Sequence, residues 1–269
     1  MCHNLTFFYT FVGSLMQFMI GVYDSGIGGL SVWKELVKIM PDERYFYVSD
    51  AGHCPYGPKP KEEILARAKA VTEFLISKGA EMVVVACNTA TAAAIEYLRG
   101  HYSIPFVGME PAVKPAAMST KTGVVGVLAT AGTLKADKYL NTREKWAEGV
   151  KIAEHVGQGF VELVEKGCTS GPEAEGVVTE SLKPLLDEGA DRIVLGCTHY
   201  PFLSETISKT AAIIAPGRDI KVIDPAPAVA KHLLEIMKEN RLIKKDGFNI
   251  VLKSSGDDTI LQETYGRIV

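Results

Sequence analysis

The sequence predicts an α/β protein made of two pseudo-symmetric, doubly wound lobes, each with its own parallel sheet. From Ile20 onward, short apolar runs alternate with helical stretches, which is typical of a parallel sheet covered by helices. In addition, residues 79–89 align without a gap to residues 189–199, and in both segments an apolar run ends at a cysteine. A repeat of roughly a hundred residues is too long for a solenoid and indicates an internal duplication.

The first lobe is predicted to begin with a strand at residues 20–23. We expect further strands at residues 45–48, 83–86 and 106–108, and helices at residues 30–40, 61–78 and 90–99. The polar stretch 114–122 is expected to be a crossover to the second lobe.

The second lobe repeats landmarks of the first in the same order. Residues 124–130 mirror residues 20–25, and residues 222–226 resemble residues 107–112. The C-terminal part of the chain adds a helix, a strand near 248–253 and a terminal helix, which we expect to pack back on the first lobe. The predicted domains are therefore residues 19–112 plus 226–269, and residues 113–225.

The first eighteen residues are apolar but do not match a targeting or membrane segment. They lack a positive n-region and a clear cleavage site. Polar residues also interrupt the run, whereas a membrane span needs about 20 predominantly apolar residues. We expect residues 1–18 to be an extension outside the fold, with Met19 as the natural beginning.

Composition restricts the class of protein. Apolar content of 47%, charged content of 23% and a net charge of −3 describe an ordinary globular protein with no electrostatic footprint for nucleic acid or membrane. The five cysteines include no CxxC pair, which argues against a disulfide framework or a zinc site and for reduced thiols in the cytoplasm. Cys2, Cys54 and Cys168 are expected to be small core residues.

Cys87 and Cys197 carry the functional prediction. Each ends a strand at the position where open α/β sheets bind ligands, so two equivalent thiols are expected to face one site. A single Cys–His pair would suggest acyl transfer, whereas inversion of a stereocentre needs a base on one face and an acid on the other. His199 is predicted to tune Cys197, because a nearby cation lowers a thiol pKa, and Asp24 is predicted to orient or relay for Cys87.

The glycine-rich turn at residues 24–31 leaves several alternatives open. A dinucleotide site is one, since Asp50 ends the next strand where a ribose-binding acid would lie, but the spacing is GxGGxS and not GxGxxG. A smaller anion such as a carboxylate suits the turn better, and a tight connection without a ligand is a third alternative. Hydroxyl groups near such turns are those of Ser25, Tyr56, Thr89 and Thr198.

Four motifs in this order resemble those of the glutamate racemase family: DSGIGGLSV at 24–32, PYG at 55–57, ACNTA at 86–90 and GCTHYP at 196–201. The resemblance extends from about residue 19 almost to the C-terminus and includes residues 132–135 and 160–165. It departs from the family pattern at residues 157–159, at Glu162 and in the N-terminal extension. It implies an enzyme without a cofactor that interconverts L- and D-glutamate and supplies D-glutamate for bacterial peptidoglycan.

Matching positions imply roles for individual residues. Cys87 and Cys197 are implied as the two proton donors and acceptors. Asp24, Glu165 and His199 are implied to tune the thiols, and the implied substrate-binding residues are Asp24, Ser25, Tyr56, Gly57, Asn88, Thr89, Thr198 and His199.

Three rival classes stay open at this point. An aspartate or hydantoin racemase would share the thiol pair, an amino-acid-binding protein would not need both cysteines, and a nucleotide-dependent oxidoreductase would need Asp50. The expected partner is a small-molecule substrate. The sequence leaves the oligomeric state open, and a homodimer is carried forward as an expectation.

Overall fold

The structure is a computed structural model that describes residues 18–244 and 247–269, and its strands form two parallel sheets. The strands are β1 (Ile20–Asp24), β2 (Arg44–Ser49), β3 (Met82–Val85), β4 (Phe106–Gly108), β5 (Val124–Ala129), β6 (Lys151–Val156), β7 (Arg192–Gly196), β8 (Lys221–Ile223) and β9 (Asn249–Ser254). The helices are α1 (Leu30–Ile39), α2 (Lys61–Ser77), α3 (Asn88–His101), α4 (Val113–Ser119), α5 (Ala131–Leu134), α6 (Asp137–Trp146), α7 (Phe160–Glu165), α8 (Pro172–Asp187), α9 (Ser204–Ile214), α10 (Ala226–Glu239) and α11 (Thr259–Ile268).

The two sheets repeat one topology. The first has the order β4-β3-β1-β2-β9 and the second the order β6-β5-β7-β8, and every neighbouring pair is parallel. Strands β1 to β4 therefore correspond to β5 to β8, with β9 as an additional edge strand beside β2. This confirms the predicted α/β fold, and it places Cys87 and Cys197 after the equivalent strands β3 and β7.

Packing against the sheets repeats as well. A Cβ atom on Gly21 of β1 would lie 3.0 Å from Leu75 and 3.2 Å from Ala80. In the second lobe, a Cβ atom on Gly126 of β5 would lie 3.1 Å from Leu185 and 3.2 Å from Ala190. In each lobe, glycine in the central strand lets one helix, α2 or α8, and the turn after that helix approach the sheet closely.

Helix α3 begins earlier than its hydrophobic pattern predicts. The sequence places its start at residue 90, but the helix begins at Asn88, because the Sγ atom of Cys87 accepts a hydrogen bond from the Ala90 N–H at 3.5 Å. Cys87 is thus the N-cap, and such a cap satisfies a free N–H of the first turn. The result is that the thiol lies at the helix N-terminus.

Two other predictions need correction. The stretch 114–122 is not only a polar crossover, since α4 begins just before it, occupies its first six residues and buries Val113 and Ala116 against the second lobe. Phe18 was assigned to the extension, yet its ring is 2% exposed and belongs to the apolar core, because burial of an aromatic side chain is strongly favourable. Residues 1–17 lie outside the described residues, and the domain boundaries stay a prediction.

The C-terminal segment packs on the first lobe. Helix α10 contacts α1 and β4, α11 contacts β9, and β9 pairs with β2. Among the helices of residues 18–244 and 247–269, none combines the length and the apolar character that crossing a membrane requires.

Candidate active site

The two cysteine motifs meet between the lobes, where the carboxyl ends of β1 and β3 face the carboxyl end of β7. Cys87 is 4% exposed and Cys197 is 7% exposed. Hydrogen bonds that join the lobes here are Thr198 Oγ1 to Asp24 Oδ2 at 3.3 Å, Ser31 Oγ to Thr198 O at 2.9 Å, Ile27 N to Glu165 Oε1 at 2.8 Å, and Thr89 Oγ1 with Thr130 Oγ1 at 2.9 Å. The two motifs therefore lie together in one buried, polar region.

A hydrogen-bonded chain leads from the Cys87 thiol to a buried carboxyl group. The thiol donates to Ser25 Oγ at 3.7 Å, and Ser25 Oγ donates to Asp24 Oδ1 at 3.4 Å. Burial raises the pKa of Cys87 well above its usual range, and the charges of Asp24 and Cys197 raise it further. Cys87 therefore rests as a protonated thiol.

Asp24 lies at the centre of the site and is completely buried. Its Oδ2 atom accepts hydrogen bonds from the Gly29 N–H at 2.8 Å and from Thr198 Oγ1 at 3.3 Å. Burial raises its pKa, whereas the charge of His199 opposes this shift. Asp24 thus contacts the motifs of both thiols, as its predicted orienting role requires.

An imidazole–carboxylate pair lies beside Cys197. The Nδ1 atom of His199 is 3.7 Å from Cys197 Sγ, and its Nε2 atom is 2.6 Å from Glu165 Oε1. Burial alone would lower the pKa of His199, but hydrogen bonds with Cys197, Cys54 and Glu165 outweigh burial and hold this pKa well above its usual range. Burial likewise opposes ionisation of Glu165, yet the hydrogen bond from His199 leaves its pKa lowered. The pair is therefore charged at neutral pH.

The glycines of the turn at residues 24–31 are explained by this pair. A Cβ atom on Gly26 would lie 1.9 Å from Glu165 Oε1, and one on Gly28 would lie 2.4 Å from His199 Nδ1. Backbone without side chains is what lets the first lobe contact the second this closely.

The backbone amides of the same turn bind carboxylates of the chain itself. The N–H of Ile27 donates to Glu165, and the N–H of Gly29 donates to Asp24. These two N–H groups are therefore already satisfied, and the expectation that the turn binds a small anion stays a prediction.

Asp50 rules out the dinucleotide alternative. It is fully buried, and Arg67 donates to both of its carboxylate oxygens, each at 2.9 Å. The Tyr56 hydroxyl donates to Asp50 Oδ2 at 2.5 Å, so it points to Asp50 and away from a free position in the site. Burial and Asp50 together raise the Tyr56 pKa. The predicted contact of Tyr56 with substrate stays a prediction.

Asn88 is a buried amide group without a partner. Its side chain is 4% exposed, and among the described residues neither Oδ1 nor Nδ2 has a hydrogen-bond partner. An unsatisfied buried polar group costs about 1–3 kcal/mol. Because Asn88 directly follows Cys87, its amide is suited to bind a ligand between the thiols.

Thr89 and Gly57 lie at a contact between the lobes. The hydroxyl of Thr89 contacts that of Thr130 at 2.9 Å, and a Cβ atom on Gly57 would lie 3.2 Å from Thr130 Cβ. Thr130 also caps α5 by accepting from the Thr133 N–H at 3.2 Å. Sequence reasoning missed Thr130, although its position after β5 matches that of Ser25 after β1.

Cys54 is the functional candidate that sequence reasoning assigned to the core. It is half-buried, and its Sγ atom lies with ligand atoms of Glu165 and His199 in a cluster no wider than 4.8 Å. The three residues come from separate segments, so no local spacing revealed them. Cys168 is also half-buried, with its Sγ atom 3.7 Å from Glu173 Oε2, and Cys2 lies outside the described residues.

Fold and site together define a class of protein. Two buried thiols follow equivalent strands of a duplicated α/β fold, one connected to a carboxyl group and the other to an imidazole. Such an arrangement can add and remove protons on opposite faces of one small ligand.

Comparison with known proteins gives the family. The Asp/Glu/Hydantoin racemase family matches residues 21–233. The glutamate racemase of Methylococcus capsulatus is 46% identical over 226 residues, which cover 84% of this chain and 82% of that protein. The glutamate racemase of Stutzerimonas stutzeri is 41% identical over 239 residues, covering 88% of this chain and 89% of that protein. The chain belongs to the Asp/Glu/Hydantoin racemase family.

Solved structures agree with this assignment. A crystal structure of a Bacillus anthracis glutamate racemase has a TM-score of 0.83 and 31% identity, covering 93% of this chain and 92% of that one. The glutamate racemase of Francisella tularensis, in complex with D-glutamate, has a TM-score of 0.77 and 31% identity, covering 92% of this chain and 95% of that one.

Proposed function

We propose that this protein is a glutamate racemase that interconverts L- and D-glutamate with Cys87 and Cys197 as its two acid–base groups. The observation that carries the proposal is the pair of buried thiols at equivalent strand ends, in two motifs that hydrogen bonds join across the lobes. A thiolate on one side removes the α-proton, and the thiol on the other side delivers a proton to the opposite face. After one turnover the protonation states of the two thiols are exchanged.

The role proposed for each thiol follows from its surroundings. Cys87 is the acid, because burial and the charge of Asp24 keep its proton bound. Cys197 is assigned as the base, and the Nδ1 atom of His199 lies 3.7 Å from its Sγ atom. In the reverse direction these roles are exchanged. The Cys87 thiol donates a hydrogen bond to Ser25, which donates one to Asp24, and this chain orients the thiol.

Substrate binding is assigned to the polar groups between the thiols. The unpartnered amide of Asn88 supplies donors and an acceptor for the substrate, and the hydroxyl of Thr198 lies beside Asp24. Removal of a weakly acidic α-proton requires donors already in place in a site without bulk water, since such donors stabilise developing charge without reorganisation. The burial of these residues meets that requirement.

Incubation of the purified protein with L-glutamate in D₂O tests the proposal. Chiral chromatography should detect D-glutamate, and NMR should show deuterium at the α-carbon of the product. L-Aspartate, offered in parallel, should react much more slowly. Absence of both D-glutamate and α-deuterium would contradict the proposal. Faster reaction of aspartate than of glutamate would indicate an aspartate racemase of the same family instead.

The biological setting is part of the same proposal. The family resemblance supports a cytoplasmic enzyme whose D-glutamate serves bacterial peptidoglycan synthesis, and a homodimer is the proposed assembly. Light scattering of the purified protein at several concentrations tests the assembly, and a monomer throughout would contradict it.

A further inference from the structure

Three side chains that offer different metal-ligand atoms converge beside the active site. Cys54 follows the short turn after β2, Glu165 ends α7, and His199 follows β7. Their thiol, carboxylate and imidazole atoms all lie within 4.8 Å of one another. Two segments of the second lobe and one of the first therefore contribute to a single cluster.

The ligand set suits a borderline-soft divalent cation. Zn²⁺ takes thiolate, imidazole and carboxylate ligands at about 2.0–2.3 Å, and tetrahedral geometry then places these atoms about 3.5 Å apart. The observed cluster is close to that size. The pair of His199 and Glu165, now 2.6 Å apart, needs to separate by only about 1 Å to admit the cation between them.

Burial leaves the cluster closed on one side and accessible on the other. The His199 side chain is 2% exposed, whereas Glu165 is 23% exposed and Cys54 is half-buried. A cation can therefore enter past Cys54 and Glu165 and keep water as its fourth ligand. Binding would release two protons to solvent, one from the Cys54 thiol and one from the His199–Glu165 pair.

We propose that Cys54, Glu165 and His199 form an inhibitory binding site for a Zn²⁺-class divalent cation. Coordination uses the Nε2 atom of His199, whose Nδ1 atom faces Cys197 at 3.7 Å. The bound cation therefore fixes the imidazole that lies beside Cys197. Inhibition rests on the proposed racemase function, whereas binding of the cation does not.

Co²⁺ titration of the whole protein tests binding directly, because thiolate coordination to Co²⁺ gives a charge-transfer absorption band. The wild-type protein should show this band at one equivalent, and Zn²⁺ should displace it. Cys54→Ser should lose the band and bind Zn²⁺ at least about 100-fold more weakly, since loss of even an outer-shell partner costs about 10–100-fold in affinity. Cys168→Ser is the matched control, as it removes another half-buried thiol outside this cluster and should behave as wild type.

Racemisation assays with added Zn²⁺ give the second readout. Zn²⁺ should inhibit the wild type and Cys168→Ser alike, and Cys54→Ser should need at least about 100-fold more Zn²⁺ for the same inhibition. Equal sensitivity of Cys54→Ser would overturn the proposal, since the cation would then bind elsewhere, for example at the Cys87 and Cys197 thiols. Absence of the Co²⁺ band in the wild type would overturn it as well. A band lost only in Cys54→Ser, in a protein without racemase activity, would uphold the site and refute the proposed function.

Discussion

The surroundings of Cys87 and Cys197 differ although their backbones are equivalent. Cys87 caps α3 and connects through Ser25 to the carboxyl group of Asp24. Cys197 is instead followed by a short 3-10 turn and contacts the imidazole of His199. A carboxyl group thus lies near one thiol and an imidazole beside the other. The duplicated fold thus supplies two thiols at equivalent positions, and the residues beside them make their surroundings different.

Replacement of each thiol is the most direct test of the difference between Cys87 and Cys197. Cys87→Ser and Cys197→Ser should each lower the racemisation rate about 10²- to 10⁴-fold, the contribution typical of one acid–base group. The thiol that remains should still exchange the α-proton of one enantiomer, a different one in each variant. NMR of L- and D-glutamate incubated in D₂O measures this exchange, with Cys168→Ser as control. Full racemisation by either active-site variant would contradict the two-base assignment.

Replacement of Gly26 tests the His199–Glu165 pair beside Cys197 without changing either thiol. In Gly26→Ala the new methyl group would lie 1.9 Å from Glu165 Oε1 and 3.0 Å from His199 Nε2, so the pair must move. A displacement of about 1 Å can cost about 10²-fold in rate, and kcat/KM should fall by that order. Gly100→Ala in α3 is the control, because its methyl group meets no atom within 4 Å. Normal activity of Gly26→Ala would show that the close contact is not needed.

Asn88 and Thr198 occupy equivalent positions after the two cysteines, and we expect opposite effects on stability. Asn88→Ala removes an unsatisfied buried amide and should raise the free energy of unfolding by about 1 kcal/mol, while kcat/KM falls about tenfold or more. Thr198→Ala removes a hydrogen bond to buried Asp24 and should lower the free energy of unfolding by about 1–3 kcal/mol. Denaturant titration and steady-state kinetics measure both. A stability loss in Asn88→Ala would mean that its amide has a partner.

Much of the fold follows from local pattern. The alternation of apolar runs and helical stretches, together with the repeat around each cysteine, predicted the two sheets and the equivalence of β3 and β7. The early start of α3 escaped prediction because a thiol is an uncommon N-cap. Burial of Phe18 was not predicted, because a single buried aromatic residue just before a strand leaves no periodic pattern in the sequence.

The site was predictable only where its residues are neighbours in sequence. The positions of Cys87, Cys197 and His199 were found from their strand ends. Cys54 lies close to Glu165, and Asp50 forms an ion pair with Arg67, only because segments distant in sequence come into contact. The glycine motif at residues 24–31 predicted a turn. It did not reveal why glycine is needed there, which is that His199 of the other lobe packs against the turn.

The last expected effect is on stability alone and concerns the charge of the His199–Glu165 pair beside Cys197. The lowered pKa of Glu165 contributes stability above the unfolded value of about 4.3, and this contribution is lost as pH falls through the lowered pKa. The raised pKa of His199 contributes stability that is complete below about 6.5 and is lost as pH rises through the raised pKa. The pair should therefore stabilise the fold most fully between about pH 4.3 and 6.5.

Replacement of Glu165 tests this dependence and the difference between the thiols. Glu165→Gln should lower the free energy of unfolding by about 2 kcal/mol in that window and by less outside it. Thermal unfolding of both proteins across the pH range measures the difference. Glu205→Gln, which breaks an exposed pair with Lys209, is the control and should show little change at any pH. A difference for Glu165→Gln that did not vary with pH would mean that the pair is uncharged, and Cys197 would then lack the cation that distinguishes it from Cys87.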